Sequence, residues 1–443
     1  MTRMKESGID WIGQIPEEWV ISKIKFTTQL NGRIGWQGLT SAEYKEEGPY
    51  LITGTDFHNG TINFETAVHI DEKRWSEASQ IQVENGDLLI TKDGTVGKVA
   101  IVSGLDDKAS LNSGVLRIQT VDEIDRKFLY YVLLSDEFWM WFNYTNSGAS
   151  TILHLYQNVF DEFTFTFPSK NEQQKIADFL DKKTAQLDKV KALLEEQIQK
   201  LRGYRASLIY ETVTKGLDKT VPVKDSGIDW IGQVPEGWGV SKLKFTLEKV
   251  SNNIKVGPFG SSLSGDAIRS SGKWVYNQRN VLDNNFTETD TFISDAKWKE
   301  LKNFSVVSGD ILLTTRGTIG RIAIVPKDYF EGILHPCLMR FRVDSHIVQP
   351  RLIKYFFNDT TLVKEQLKFL SNSTTIDVIY SYNLKNIIIP IIPLEEQYGI
   401  VEYLDKQCSN VDALIKVKQE QIDNINKQRQ TLIYDYVTGK RRV

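Results

Sequence analysis

Thr91-Lys92-Asp93-Gly94-Thr95 and Thr315-Arg316-Gly317-Thr318 are two short runs of hydroxyl, charged and small residues set between apolar stretches. Side chains of these kinds suit a nucleic acid: Lys92 and Arg316 match phosphate or guanine, Asp93 can accept from cytosine N4, and Thr91, Thr95, Thr315 and Thr318 can bond phosphate or base edges. A second cluster, Tyr276-Asn277-Gln278-Arg279-Asn280, brings together amide and guanidinium groups, the side chains best suited to bidentate contacts with adenine and guanine. Its counterpart earlier in the chain, Ile52-Thr53-Gly54-Thr55-Asp56, is chemically different. For each of these residues, ordinary solvated surface is the competing role.

Three catalytic readings fail on the residues. Gly97-Lys98 resembles the end of a phosphate-binding loop, yet the Gly-x4-Gly-Lys-Ser/Thr spacing is absent and the second copy reads Gly320-Arg321. Asp87 with Lys92 suggests half of a metal nuclease site, but Thr315 stands where the Lys should recur. A methyl-transfer enzyme wants an Asn/Asp-Pro-Pro-aromatic cluster beside its cofactor loop, and none is present. The glycines fit tight hairpins, with or without a phosphate beside the backbone.

The elements that must carry these runs occur twice. Gly86 to Val102, GDLLITKDGTVGKVAIV, returns as Gly309 to Val325, GDILLTTRGTIGRIAIV. Each reads as a strand, a glycine turn and a second strand, with the polar run at the tip. Ser7 to Thr27, SGIDWIGQIPEEWVISKIKFT, returns as Ser226 to Thr246 with five differences. The chain is therefore a tandem duplication. Between these islands, Gly32 to Phe64 and Ile254 to Phe286 occupy matching places and share little, as two domains of one fold with different surfaces would. Strands are expected at Tyr50–Thr53, Leu88–Thr91, Lys98–Val102 and Val115–Gln119, and at Trp274–Asn277, Ile311–Thr315, Arg321–Val325 and Leu338–Val343. Helical patterns sit at Asp125–Leu134 and Gln349–Phe357.

Each half ends in a long amphipathic helix. Glu172–Thr212 repeats apolar residues at Ile176, Leu180, Leu187, Val190, Leu194, Leu201 and Leu208. Glu396–Tyr436 answers with Ile400, Leu404, Val411, Leu414, Ile422, Ile425 and Leu432. At about 1.5 Å per residue each extends roughly 60 Å and is too polar around its circumference to be buried whole, so the two should pair. The class expected is α+β: two tandem mixed α/β domains separated by two long helices that form an antiparallel coiled coil. The boundaries are a first domain over 1–168, a first long helix over 169–215, a linker over 216–225, a second domain over 226–392, a second long helix over 393–438 and a basic tail over 439–443.

A chain of 443 residues with 41% hydrophobic and 25% charged residues can bury real cores. It has no apolar run of signal-peptide or membrane-spanning length, so a cytoplasmic location without membrane contact is expected. Cys337 and Cys408 lie far apart without metal-ligand spacing. The net charge of −3 and pI near 6.1 oppose nucleic-acid binding through bulk charge. Basic residues must act locally, or partners must supply phosphate contacts.

The opening SGIDWIGQIPEEW, the hairpin GDILLTTRGTIGRIAIV, a Pro followed closely by Glu-Gln at Pro168…Glu172-Gln173 and Pro393…Glu396-Gln397, and the long helix after it recur in this order twice. In that order they resemble the specificity subunits of type I restriction–modification enzymes, over the whole chain. The resemblance implies two target-recognition domains, each reading one half of a split site in double-stranded DNA, held apart by the helices. It also implies a subunit that is not catalytic by itself and holds no cofactor. Two methylation subunits would carry S-adenosylmethionine, and restriction subunits would use ATP and Mg. By the same resemblance Thr91–Thr95, Thr315–Thr318, Thr53–Asp56 and Asn277–Asn280 face DNA. The exposed helix rows around Lys189, Lys191, Glu195 and Gln199 offer a dock for the methylation subunits. The competing expectation is a coiled-coil scaffold that binds protein partners without DNA specificity.

Overall fold

Leu88–Thr91 is buried along its whole length, which a strand of alternating side-chain direction achieves only when both its faces are covered. The computed structural model describes residues 3–33, 39–146, 154–371 and 378–443. Residues 34–38 of the divergent stretch Gly32 to Phe64 thus lie outside the described ones. The chain divides into one unit of Met1–Glu195 with Gln419–Val443 and a second of Glu196–Lys418.

In the first unit Leu88–Thr91 lies inside an antiparallel sheet ordered Val99–Ile101, Leu88–Thr91, Val115–Thr120, Thr28–Gly32. Leu88 and Ile90 point into a core with Phe128, Phe138, Phe142 and Phe163, whereas Leu89 points the other way, into a core shared with Ile52, Val83 and Leu111. That second core is covered by another sheet, ordered Val68–His69, Lys45–Ile52, Ala109–Leu111, Gln82–Val83, whose middle pair is parallel. The helices Arg126–Leu134 and Asp136–Thr145 supply the aromatic side of the first core.

The second unit repeats this plan strand for strand. Its sheets run Ile254–Val256, Leu338–Phe341, Ile311–Thr314, Ile322–Ile324 and Phe292–Ile293, Lys273–Tyr276, Gly332–Leu334, Ser305–Val306, again with one parallel middle pair. Ile311 and Leu313 face the helical core and Leu312 the core between the sheets. The helices Pro350–Asn358 and Leu362–Ser371 replace those of the first unit.

The expected long helices are Lys170–Lys215 and Leu394–Val437, and within each unit their segments pack antiparallel. In the first unit Phe179 meets Tyr436 at 4.6 Å between ring centroids and Asp188 pairs with Arg429 at 3.5 Å. In the second, Arg205 pairs with Asp412 at 3.2 Å, and Lys418 donates to Gln197 at 2.5 Å. Two of the expected seam residues fall outside it: Val190 is 47% and Leu414 52% exposed, while Ile198, unmarked in the pattern, is buried. The heptad through Leu180, Leu187, Leu194 and Leu201 has its intervening position at Lys191, one residue beyond Val190, and at Ile198.

The repeated motifs have structural roles. Gln173 donates to the carbonyls of Glu123 (3.0 Å) and Pro168 (2.9 Å) and accepts from the Asp125 amide (2.8 Å). Gln397 does the same with Ile347, Ile392 and Gln349. Asp181 and Asp405 accept from the phenols of Tyr131 and Tyr355, at 2.7 and 2.8 Å. The Trp-Ile-Gly block seats a helix end: in the first unit the Tyr434 hydroxyl donates to the Trp11 carbonyl, and in the second that of Tyr210 to Trp230. Gly439, at φ +70°, lies so near Pro16 that a Cβ would fall 2.5 Å from its ring. Only a residue without one reaches that seat.

Candidate nucleic-acid interface

The register Ile90↔Val99 leaves Lys92–Lys98 as the tip of the first hairpin. Thr91, fully buried, locks it: its Oγ1 donates to the Thr95 carbonyl at 2.5 Å and accepts from the Lys98 amide at 2.9 Å. Thr314 holds the same place in the second hairpin and accepts from the Arg321 amide at 3.0 Å. Behind the tips, Asp87 accepts from the Glu84 amide and pairs with Arg117, each at 2.9 Å, while Asp310 accepts from the Val307 amide at 2.8 Å and pairs with Arg342. These carboxylates hold the turn that launches the strand.

Each tip meets the divergent loop of its own unit. Lys98 Nζ donates to the Gly54 carbonyl at 3.2 Å, bringing Thr53–Asp56 against Lys92–Thr95. Gln278 Nε2 donates to the Thr318 carbonyl at 3.3 Å, bringing Asn277–Asn280 against Thr315–Thr318. Two stretches separated by some forty residues thus form one face in each unit.

Five of the expected readers are corrected by this geometry. Asp56 is 1% exposed and accepts from Thr53 and Thr66, closing the turn rather than facing outwards. Thr91 is the hairpin lock, and Thr315, 2% exposed, donates to the Cys337 carbonyl at 2.8 Å. Asn277 caps the short helix Gln278–Leu282, accepting from the amides of Arg279 and Asn280. Asn280, buried, donates to the carbonyls of Asn285 and Glu288 and accepts from Asn277. Asn-x-x-Asn at a helix start is a capping pattern, and it consumes the amides that would have read bases.

The outward groups are therefore Thr53, Thr55, Lys92, Asp93 and Thr95 in the first unit and Gln278, Arg279, Arg316 and Thr318 in the second. Lys92 and Asp93 pair at 3.3 Å, and His154 Nδ1 lies 2.7 Å from Asp93. His154 went unnoticed in the sequence, because nothing local ties a residue sixty positions away to the tip, and Lys98 enters there only as the end of a phosphate-binding loop. Under the second face, burial holds the Cys337 thiol above and the His335 imidazole below their ordinary values.

A two-sheet domain repeated in tandem, each copy exposing a locked hairpin beside a variable loop, defines a recognition protein with one scaffold and two unlike surfaces. The type I restriction modification DNA specificity domain matches residues 16–200 and again 238–426, and the chain belongs to that family, as a specificity subunit with two sequence-recognising domains. It is 26% identical over 438 residues to the type I restriction enzyme MjaVIII specificity subunit of Methanocaldococcus jannaschii, across 97% of this chain and 94% of that one. With the EcoBI specificity subunit of Escherichia coli it shares 25% over 446 residues, 98% and 89% of the two chains. A chain solved in work on the complex assembly and conformational transition of the type I R-M system shares its fold at TM-score 0.71 and 16% identity, covering 96% and 99%. The HsdS subunit from Thermoanaerobacter tengcongensis does so at TM-score 0.51 and 15% identity, covering 96% and 98%. No helix among the described residues is long and apolar enough to cross a membrane.

Proposed function

We propose that the chain reads a bipartite, asymmetric site in double-stranded DNA, one half-site per domain, as the non-catalytic subunit of a cytoplasmic type I complex. The observation that carries this reading is the pairing of one scaffold with two chemistries. Thr55, Lys92, Asp93 and Thr95 crown one unit, and Gln278, Arg279, Arg316 and Thr318 the other. Equal folds with unequal donors and acceptors would select unequal half-sites. In this reading the chain holds no cofactor. It recruits two methylation subunits carrying S-adenosylmethionine, and restriction subunits that use ATP and Mg. Those partners supply the cationic surface that a net charge of −3 withholds. Partly exposed apolar residues on the long helices, Leu193, Tyr204, Leu414 and Val417, are surface for such partners to cover.

Co-expression with a cognate methylation subunit, followed by mapping of methylated adenines, tests the proposal. A split motif with two different halves is the expected result. An intact complex that leaves DNA unmethylated overturns it and returns the chain to a protein-binding scaffold.

A further inference from the structure

A third segment joins each face. After the first unit's described helices, the Leu155 amide donates to the Lys92 carbonyl at 2.9 Å. At the equivalent place in the second unit, the Ile379 amide donates to the Thr315 carbonyl at 3.0 Å. Leu155 and Ile379 are 1% and 2% exposed. Backbone extended along a strand sends neighbours to the opposite side, so the residues flanking these anchors turn outwards beside the tip. They are His154 and Tyr156 in one unit, Val378 and Tyr380 in the other.

The flanking positions divide into a shared one and an unlike one. Tyr156 and Tyr380 are 61% and 66% exposed, although the tips beside them, Lys92-Asp93 and Thr315-Arg316, have diverged completely. A large ring left in solvent at the same point of two otherwise unlike faces fits a ligand feature common to both. On DNA that feature is the sugar–phosphate backbone, to which a phenol donates without regard to sequence. His154 has no such twin. Its Nδ1 lies 2.7 Å from the Asp93 carboxylate, which only accepts, so Nδ1 carries the proton. In the tautomer with its proton on Nδ1, Nε2 is an acceptor, and the Tyr156 ring, 5.6 Å away, braces the imidazole. An acceptor in the major groove meets the amino group of adenine N6 or cytosine N4.

We propose that His154–Tyr156 and Val378–Tyr380 are a third arm of each DNA-reading face, in which Tyr156 and Tyr380 hold backbone phosphate in both half-sites and His154, oriented by Asp93, reads an exocyclic amino group in one. This rests on the DNA-reading function proposed above. The test uses the complex with its methylation subunit and the DNA motif that the wild type methylates. Tyr156→Phe and Tyr380→Phe each weaken DNA binding by about tenfold, the worth of one lost hydrogen bond to a charged group. The methylated motif stays unchanged, and so does the slope of affinity against salt, because a neutral phenol displaces no counterion. His154→Ala admits other bases at one position of one half-site and leaves the other half-site as it was. His154→Gln, whose amide oxygen also accepts, retains more of the original preference. Folded variants that bind and methylate as wild type does overturn the arm alone. A wild-type complex that methylates no split site removes the reading and the arm with it.

Discussion

Glu137 shows how much one side chain can set the stability of its unit. It is fully buried in the helix Asp136–Thr145, and neither carboxylate oxygen has a hydrogen-bond partner among the described residues. Burial pushes its pKa well above the ordinary carboxylate range. The duplicate has solved the same position differently. Trp11 packs on Tyr144 as Trp230 packs on Phe369, and seven residues before each of those rings stand Glu137 and Leu362, the latter 2% exposed. The native state keeps a proton that the unfolded chain releases above about pH 4.5, so stability falls as pH rises from there towards the raised native pKa. Glu137→Leu is expected to stabilise the first unit by about 1–3 kcal/mol, with the gain growing between about pH 5 and about pH 8. Thermal melts at the two pH values check this; an equal shift at both contradicts a protonated buried carboxyl.

At the scale of elements, the two glutamines that staple the long helices to their domains matter more than their place in a polar motif suggests. Gln173→Leu strands one amide and two carbonyls in a buried joint and should cost at least about 2 kcal/mol. Gln397→Leu should do the same in the second unit, whereas Lys189→Ala, on the solvent side, should move stability by less than about 0.5 kcal/mol. Denaturant midpoints measure all three, and a Gln173→Leu protein as stable as wild type would dismiss the staple. The long helices were legible because their apolar spacing persists for many turns, and the hairpins because glycine turns separate two apolar runs. Buried amides were not. Asn280 and Gln278 look equally fit to read bases, and only the carbonyls of Asn285 and Glu288 around Asn280 decide between them. His154 was illegible for a related reason: its meaning lies in Asp93, which the fold brings to it.

For the whole molecule, the repeat in sequence foretold the repeat in fold, and the structure adds that the order of strands in both sheets repeats as well. It did not reveal which helix end each Trp-Ile-Gly block receives, because that pairing depends on chain path rather than on local pattern. If each unit reads its own half-site, exchanging Gly32–Phe165 for the same stretch of another such subunit should change one half of the methylated motif and leave the other half intact. Adenine mapping of the chimera decides the matter, and a change in both halves contradicts independent reading.

The seat at Trp11 and Trp19 also imposes an order of events on synthesis. Ile433, Tyr436 and Val437 sit in the same core as Trp19, Phe128 and Leu180. A ribosome releases Trp19 more than four hundred residues before Ile433, so that the unit begun first waits, with part of its core uncovered, for the unit begun second to be made. During that interval the nascent first unit exposes the apolar surface that chaperones bind, and a stall between Lys418 and Ile433 would release a chain with a finished second unit and an unfinished first one.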